Sequence, residues 1–133
     1  MADLYALKAE LADDPLTRGY AGMSDAAAAT DINTVYRTRI KGNLTGDEIF
    51  GATDAAEFAS LQVSVRRDWV AFCARDIINP AGTANVAFVE WVFGNPSDTR
   101  TNLLALRQET LSRAVELGFG IVREGEVAMA RGL

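Results

Sequence analysis

The sequence predicts an all-α fold, in which a compact bundle of about five helices is followed by an extended C-terminal arm. Three observations lead to this prediction. Apolar side chains recur at steps of three and four residues along most of the chain, as on one face of a helix. Capping residues precede these runs, and glycine or proline follows them. Seven of the eleven aromatic side chains lie between Phe50 and Phe93, which places the predicted core in that stretch.

Two helices are predicted in the first part of the chain. One covers residues 3–12 and ends where Asp14 precedes Pro15, because a residue before proline is disfavoured in the helical conformation. Ser24 is a typical N-cap for the other helix. The helical spacing of apolar residues continues to Tyr36, so this helix is predicted to extend that far.

The middle of the chain carries two capping-box patterns, each with glutamate three positions after the capping residue. Thr45 and Glu48 open a short helix that Gly51 ends. Asp54 and Glu57 open a single longer helix. Its apolar stripe consists of Phe58, Leu61, Val65, Trp69, Phe72 and Cys73. The thiol on this stripe is predicted to be buried and inert.

A further helix is predicted from Asn79-Pro80 to Gly94, since a cap residue followed by proline starts helices and glycine ends them. The run is apolar on nearly every side, which exposed helices avoid. Two explanations are open: this is the central buried helix, or it faces another chain. Trp69 and Trp91 stand at helical spacing among apolar residues, and both are predicted to belong to the core.

A last long helix is predicted after the turn Asn95-Pro96-Ser97-Asp98, whose residues can cap it, and Gly118 ends it. Apolar residues between Leu103 and Leu117 outline one side of this helix, and its polar side, with Arg100 and Arg107, is expected to be solvated. Residues 119–133 then mix alternating apolar residues with three glycines. That pattern fits a short strand pair or an extended arm that ends in a helical turn. The predicted organisation is therefore a helical bundle domain of residues 1–118 and a C-terminal arm of residues 119–133.

Composition narrows the classes of function. The chain has 133 residues and contains no histidine, which removes the usual general base and the commonest metal ligand. The adjacent acidic residues fit helix starts better than catalytic pairs, so we expect no enzymatic activity, no metal and no cofactor. The first residues lack the pattern of a signal peptide, and no apolar run approaches the ~20 residues of a membrane span. We therefore expect a soluble protein that is made in the cytoplasm and has no membrane partner.

The chain is acidic overall but contains one basic cluster. The net charge of −5 disfavours non-specific binding to nucleic acid, which depends on clustered lysine and arginine. The only dense basic cluster consists of Arg37, Arg39 and Lys41. At a helix C-terminus such cations complement the helix dipole. The functional alternative is contact with an acidic partner or with DNA.

Six stretches, which cover most of the chain, form a recognisable pattern. They are Asp14-Pro-Leu-Thr-Arg-Gly-Tyr-Ala-Gly-Met-Ser-Asp25, Asn33-Thr-Val-Tyr-Arg-Thr-Arg39, Thr45-Gly-Asp-Glu-Ile-Phe50, Trp69-Val-Ala-Phe-Cys-Ala-Arg-Asp76, Gly82-Thr-Ala-Asn-Val-Ala-Phe88 and Ser112-Arg-Ala-Val-Glu-Leu-Gly118. None of them is a catalytic signature. Together they resemble small structural proteins of tailed bacteriophages. Within that class the predicted helical bundle with a projecting tail is most like the head–tail adaptor, the connector of the neck.

The resemblance implies a virion protein, made in the host cytoplasm, that forms a homo-oligomeric ring of about twelve copies. One face of the ring would contact the portal protein and the other a stopper or tail protein. DNA would pass through the lumen without sequence-specific binding. Arms of such adaptors commonly reach into the portal, so the resemblance implies portal docking by residues of the arm. The candidates are Phe119, Ile121, Val122, Arg123, Val127, Met129 and Arg131.

Two alternatives to the head–tail adaptor remain open. One is another structural protein of the neck or tail, such as a stopper or a tail completion protein. The other is a small DNA-binding or regulatory module. The second alternative would use Arg37, Arg39 and Lys41, and it predicts duplex binding with a steep dependence on salt.

Overall fold

A computed structural model describes all residues from Met1 to Leu133. The protein is mostly helical, but a two-stranded antiparallel sheet accompanies nine α-helices, so the prediction of an all-α bundle of about five helices was wrong. The helices are α1 (Leu4–Asp13), α2 (Asp25–Asn33), α3 (Gly46–Gly51), α4 (Ala55–Ser60), α5 (Val63–Cys73), α6 (Thr83–Val92), α7 (Asp98–Leu106), α8 (Arg113–Glu116) and α9 (Glu124–Arg131). The strands are β1 (Val35–Ile40) and β2 (Gln108–Ser112). None of the helices is long and apolar enough to cross a membrane.

The chain forms two compact units. The terminal unit contains residues 1–38 and 110–133, and the central unit contains residues 39–109. The chain passes from the terminal to the central unit within β1 and returns within β2.

The terminal unit has its own apolar core. Here α9 packs against α1 and α2, and α8 packs against α2. The buried apolar residues of this core are Ala2, Leu7, Leu11, Tyr20, Ala28, Ala29, Ile32, Ala114, Phe119, Val122, Val127 and Ala130. Both ends of the sequence therefore contribute to one core.

The core of the central unit is centred on Trp69, which is fully buried. The ring of Trp69 lies edge-on to Phe93, with 4.9 Å between ring centroids, and stacks on Phe72 at 5.4 Å. Leu44 and Ile78 form an isolated antiparallel bridge beside it. The concentration of aromatic residues in the middle of the chain therefore predicted the core of the central unit correctly. The sequence analysis did not predict the core of the terminal unit.

The two strands replace predicted helix. α2 ends at Asn33, and residues 35–40 form β1 instead of its last turn. Valine, tyrosine, threonine and isoleucine favour strands, and the partner strand supplies the backbone hydrogen bonds from about seventy residues away. β2 likewise interrupts the long helix that was predicted between the turn at Asp98 and Gly118. Because each strand pairs with a segment so distant in sequence, the residues next to it in the chain do not indicate the pairing.

The extended C-terminal arm was also predicted wrongly, because residues 124–131 form α9. Val127 and Ala130 are fully buried in the terminal core. Two acidic residues occupy the first turn of α9 and Arg131 its last turn, which suits the helix dipole. The guanidinium of Arg131 donates hydrogen bonds to the carbonyl of Tyr20 and the carboxylate of Asp25.

The single helix that was predicted from Asp54 to Cys73 is two helices, α4 and α5, in the structure. Leu61 and Gln62 have extended backbone conformations between α4 and α5. Phe58, Leu61 and Val65 nevertheless all pack against the central core. Because the apolar stripe continues across the break, its spacing did not reveal the break.

Candidate protein interface on the central unit

α6 is an apolar helix on the surface of the central unit. Its residues are mostly apolar, yet Val92 is the only buried one. Trp91 is 64 % exposed, and Ala84 and Ala87 are exposed as well. We name the surface made of Ala84, Ala87, Phe88 and Trp91 the α6 face. α6 is therefore not a central buried helix, which was one of the two explanations for its composition. The prediction that Trp91 belongs to the core was wrong.

The α6 face is backed by a cluster of aromatic rings. Phe88 is half-buried, and its ring centroid lies 6.0 Å from that of Trp91. On its inner side Phe88 approaches Phe72 at 4.9 Å and Trp69 at 6.1 Å. This packing supports Phe88, so the α6 face presents an exposed indole and small side chains on a well-packed base. Such a surface is typical of protein contacts, where tryptophan is enriched among the residues that dominate binding.

A cleft lies between α6 and α7. Its apolar lining includes Leu44, Val86, Val89, Leu103 and Leu104, and two arginines, Arg100 and Arg107, also line it. Leu104 is 50 % exposed. We name this site the α6–α7 cleft. It opens on the same unit as the α6 face but is lined by other residues of α6.

Glu57 holds the first turn of α7. Its Oε1 accepts hydrogen bonds from the Thr99 amide at 2.7 Å and from Ser97 Oγ at 3.0 Å, and its Oε2 accepts one from the Asp98 amide at 3.0 Å. Hydrogen bonding to Thr99, and then to Ser97 and Asp98, lowers the pKa of Glu57 from its usual 4.5 to about 2. The carboxylate thus anchors one wall of the cleft.

Glu57→Gln is expected to lower the free energy of unfolding by about 1–2 kcal/mol at pH 7, after allowance for its partial exposure. Because the folded pKa lies below the unfolded one, this stabilisation is complete above about pH 5. It is lost as the pH falls from 4.5 towards 2. Denaturant unfolding of both proteins at pH 7 and pH 2.5 measures the effect. The exposed Glu90→Gln variant is the control, and an equal loss at both pH values would contradict the prediction.

The predicted basic cluster is largely neutralised by ion pairs. Arg37 Nε donates to Glu116 Oε2 at 2.8 Å, and this bond raises the pKa of Arg37. Arg39 forms an ion pair with Glu109. Lys41 is half-buried, and its amide donates to the Arg107 carbonyl at 2.8 Å. Among the three residues, Lys41 is the one whose side chain forms no ion pair.

Of the seven predicted docking residues, three are buried and four are exposed. Phe119, Val122 and Val127 belong to the terminal core, so their side chains are unavailable to a partner. Ile121 is 76 % exposed and Met129 is 51 % exposed. The remaining two, Arg123 and Arg131, are exposed, and the guanidinium of Arg131 is bound within the terminal unit.

The sequence analysis missed Trp91 and Leu104 as surface residues of the central unit. For Trp91 the available signal was the composition of α6, whose apolar residues are too many for one buried stripe. The chain has no group of three or more histidine, cysteine, aspartate or glutamate residues able to hold a metal ion. Cys73 is buried as predicted, and desolvation raises the pKa of its thiol to about 12.

Comparison with known proteins gives no relative. No protein-family model matches the chain, and no curated protein or solved structure is significantly similar to it.

Proposed function

We propose that this protein is a structural subunit of a tailed bacteriophage, a head–tail adaptor that forms a ring of about twelve copies beneath the portal. The α6 face carries the proposal. An exposed tryptophan among small side chains has the composition of an interface core, and its exposure to water is unfavourable in a lone subunit. The assignment to the phage neck is supported by the sequence resemblance.

The charge distribution is compatible with this role. The net charge is −5, and two of the three residues in the basic cluster are bound to glutamates. A subunit of this kind does not hold DNA tightly, as is required of a ring through which DNA slides. The same two ion pairs weaken the alternative of a DNA-binding module.

In this proposal Ile121 and Met129 dock on the portal. Both are exposed and apolar, and both lie in the C-terminal segment that the resemblance associates with docking. Deletion of residues 119–133 is a poor test, because it removes Val127 and Ala130 from the terminal core. Single substitutions at the two exposed positions avoid that damage.

The decisive experiment measures the mass of the purified protein alone and with the portal protein of the same genome. We expect a ring on the portal, visible by native mass spectrometry and electron microscopy. Trp91→Lys is expected to raise the dissociation constant for assembly at least about thirtyfold, as for loss of a central tryptophan. Tyr5→Lys is the matched control, since Tyr5 is 74 % exposed on α1 of the terminal unit.

Ile121→Lys and Met129→Lys are expected to weaken portal docking while thermal unfolding stays unchanged. A protein that remains monomeric with the portal, or that assembles equally well with Trp91→Lys, contradicts the adaptor proposal. Micromolar binding to duplex DNA with a steep salt dependence would favour the regulatory module instead.

A further inference from the structure

The α6–α7 cleft has an unusual charge for this acidic chain. Arg100 lies in α7 and Arg107 is the C-cap residue of that helix, seven residues further on, which corresponds to about 10 Å along a helix axis. None of the six ion pairs of the chain includes either residue. Glu90 is the only carboxylate of the lining. The cleft therefore carries a net positive charge on a protein whose net charge is −5.

Arg107 is held in place while part of its guanidinium has no partner. Its amide donates to the Leu103 carbonyl at 3.0 Å, and its carbonyl accepts from the Lys41 amide at 2.8 Å. The Nε atom is buried and forms no hydrogen bond. The terminal nitrogens of the guanidinium form no hydrogen bond within the chain and are not buried, so a carboxylate in the cleft can pair with them end-on.

The small volume of the α6–α7 cleft limits the group that can bind between Arg100 and Arg107. Its volume is about 100 Å³, whereas pockets for drug-sized ligands measure about 300–1,000 Å³. A small anion would pair with an arginine but would leave the apolar lining open to water. One apolar side chain fits the lining, and a neighbouring carboxylate in the same segment reaches an arginine.

We propose that the α6–α7 cleft binds a segment of a different protein, which inserts one apolar side chain between the helices and pairs an acidic side chain with Arg107. Arg100 binds a second carboxylate about two helical turns away, if the segment is a helix. The occupant is an acidic partner because the cleft is locally positive. This site is separate from the α6 face and does not depend on ring formation.

The test uses an mRNA-displayed library of random twelve-residue peptides, selected on the full-length protein. Enriched peptides are resynthesised, and their binding is measured by fluorescence anisotropy. We expect them to combine aspartate or glutamate with a large apolar residue. Arg107→Gln is expected to weaken their binding at least fivefold, and Arg100→Gln to weaken it less. Arg67→Gln is the matched control, because Arg67 is exposed on α5 and forms no ion pair.

Salt dependence and folding complete the test. Binding is expected to weaken when the salt concentration is raised from 50 to 300 mM, since screening reduces exposed charge interactions. Thermal unfolding of each variant checks that the fold is retained. Failure to enrich any peptide, or enriched peptides that bind Arg107→Gln as tightly as the unchanged protein, overturns the proposal. So does self-association that Arg107→Gln abolishes, since a second copy would then be the occupant.

Discussion

Gly46→Ala is expected to lower the free energy of unfolding by about 3 kcal/mol or more, the upper end of the range for overpacked sites. Gly46 is the first residue of α3 and is buried where α3 packs against α5. A Cβ atom at this position would lie 1.8 Å from the Cys73 carbonyl oxygen and 2.5 Å from that of Arg75. Both obstacles are backbone atoms that no rotamer change can move.

The same approach brings the Gly46 amide to the Arg75 carbonyl, to which it donates a hydrogen bond of 3.1 Å. Alanine would push the two helices apart and lose this bond as well. Thermal unfolding measures the effect, which is expected to be roughly a 10 °C decrease in Tm. Gly51→Ala is the control in the same helix, because no atom lies within 4 Å of its added Cβ. Equal Tm values for the two variants would refute the steric argument.

Arg113→Met is expected to destabilise the protein by about 3–5 kcal/mol, as is typical when one partner of a buried ion pair is removed. Arg113 donates to both carboxylate oxygens of Glu10, with Nε 2.8 Å from Oε1 and Nη2 3.1 Å from Oε2. It also forms an ion pair with Glu116. The side chains of Arg113 and Glu10 are only 13 % and 6 % exposed. The substitution would leave the Glu10 carboxylate buried without its partner.

A double variant separates charge burial from packing. Glu10→Met with Arg113→Met is expected to recover most of the lost stability, because a matched apolar pair replaces the buried ions. Arg39→Met is the surface control: Arg39 and Glu109 are 49 % and 35 % exposed, and such pairs contribute less than about 1 kcal/mol. Urea unfolding of the four proteins gives the comparison. A double variant no more stable than Arg113→Met would contradict this account.

Capping was determined by the sequence alone. Thr45 and Glu48 form the predicted capping box, and the hydroxyl of Ser24 caps α2 by accepting from the Ala27 amide. These interactions lie within one turn of the chain, so the residues that make them are visible as neighbours in sequence. The α6 composition likewise offered an interface as one of two explanations, because an apolar residue on every side of a helix exceeds what one core can bury.

Glu57 shows how the tertiary structure overrides a local pattern. Asp54 caps α4 as predicted, but Glu57 does not complete the box with the Asp54 amide. That amide donates to Thr99 Oγ1 instead, and the Glu57 carboxylate binds the first turn of α7. The competing hydrogen-bond donors come from forty residues away, which no local spacing predicts.

The sequence by itself determined where α2, α3 and α4 begin, which residues cap them, and that the aromatic residues build a core, since each depends on neighbours within a few positions. The start predicted at Asn79-Pro80 was wrong, because α6 begins at Thr83 with Gly82 as its N-cap. Only the tertiary structure decided that residues 35–40 and 108–112 pair as strands, that α9 completes the terminal core, and that Trp91 is exposed. The physical reason is that strand pairing and burial depend on partners far away in the chain. A periodic apolar pattern gives the spacing of a face but not the element that covers it.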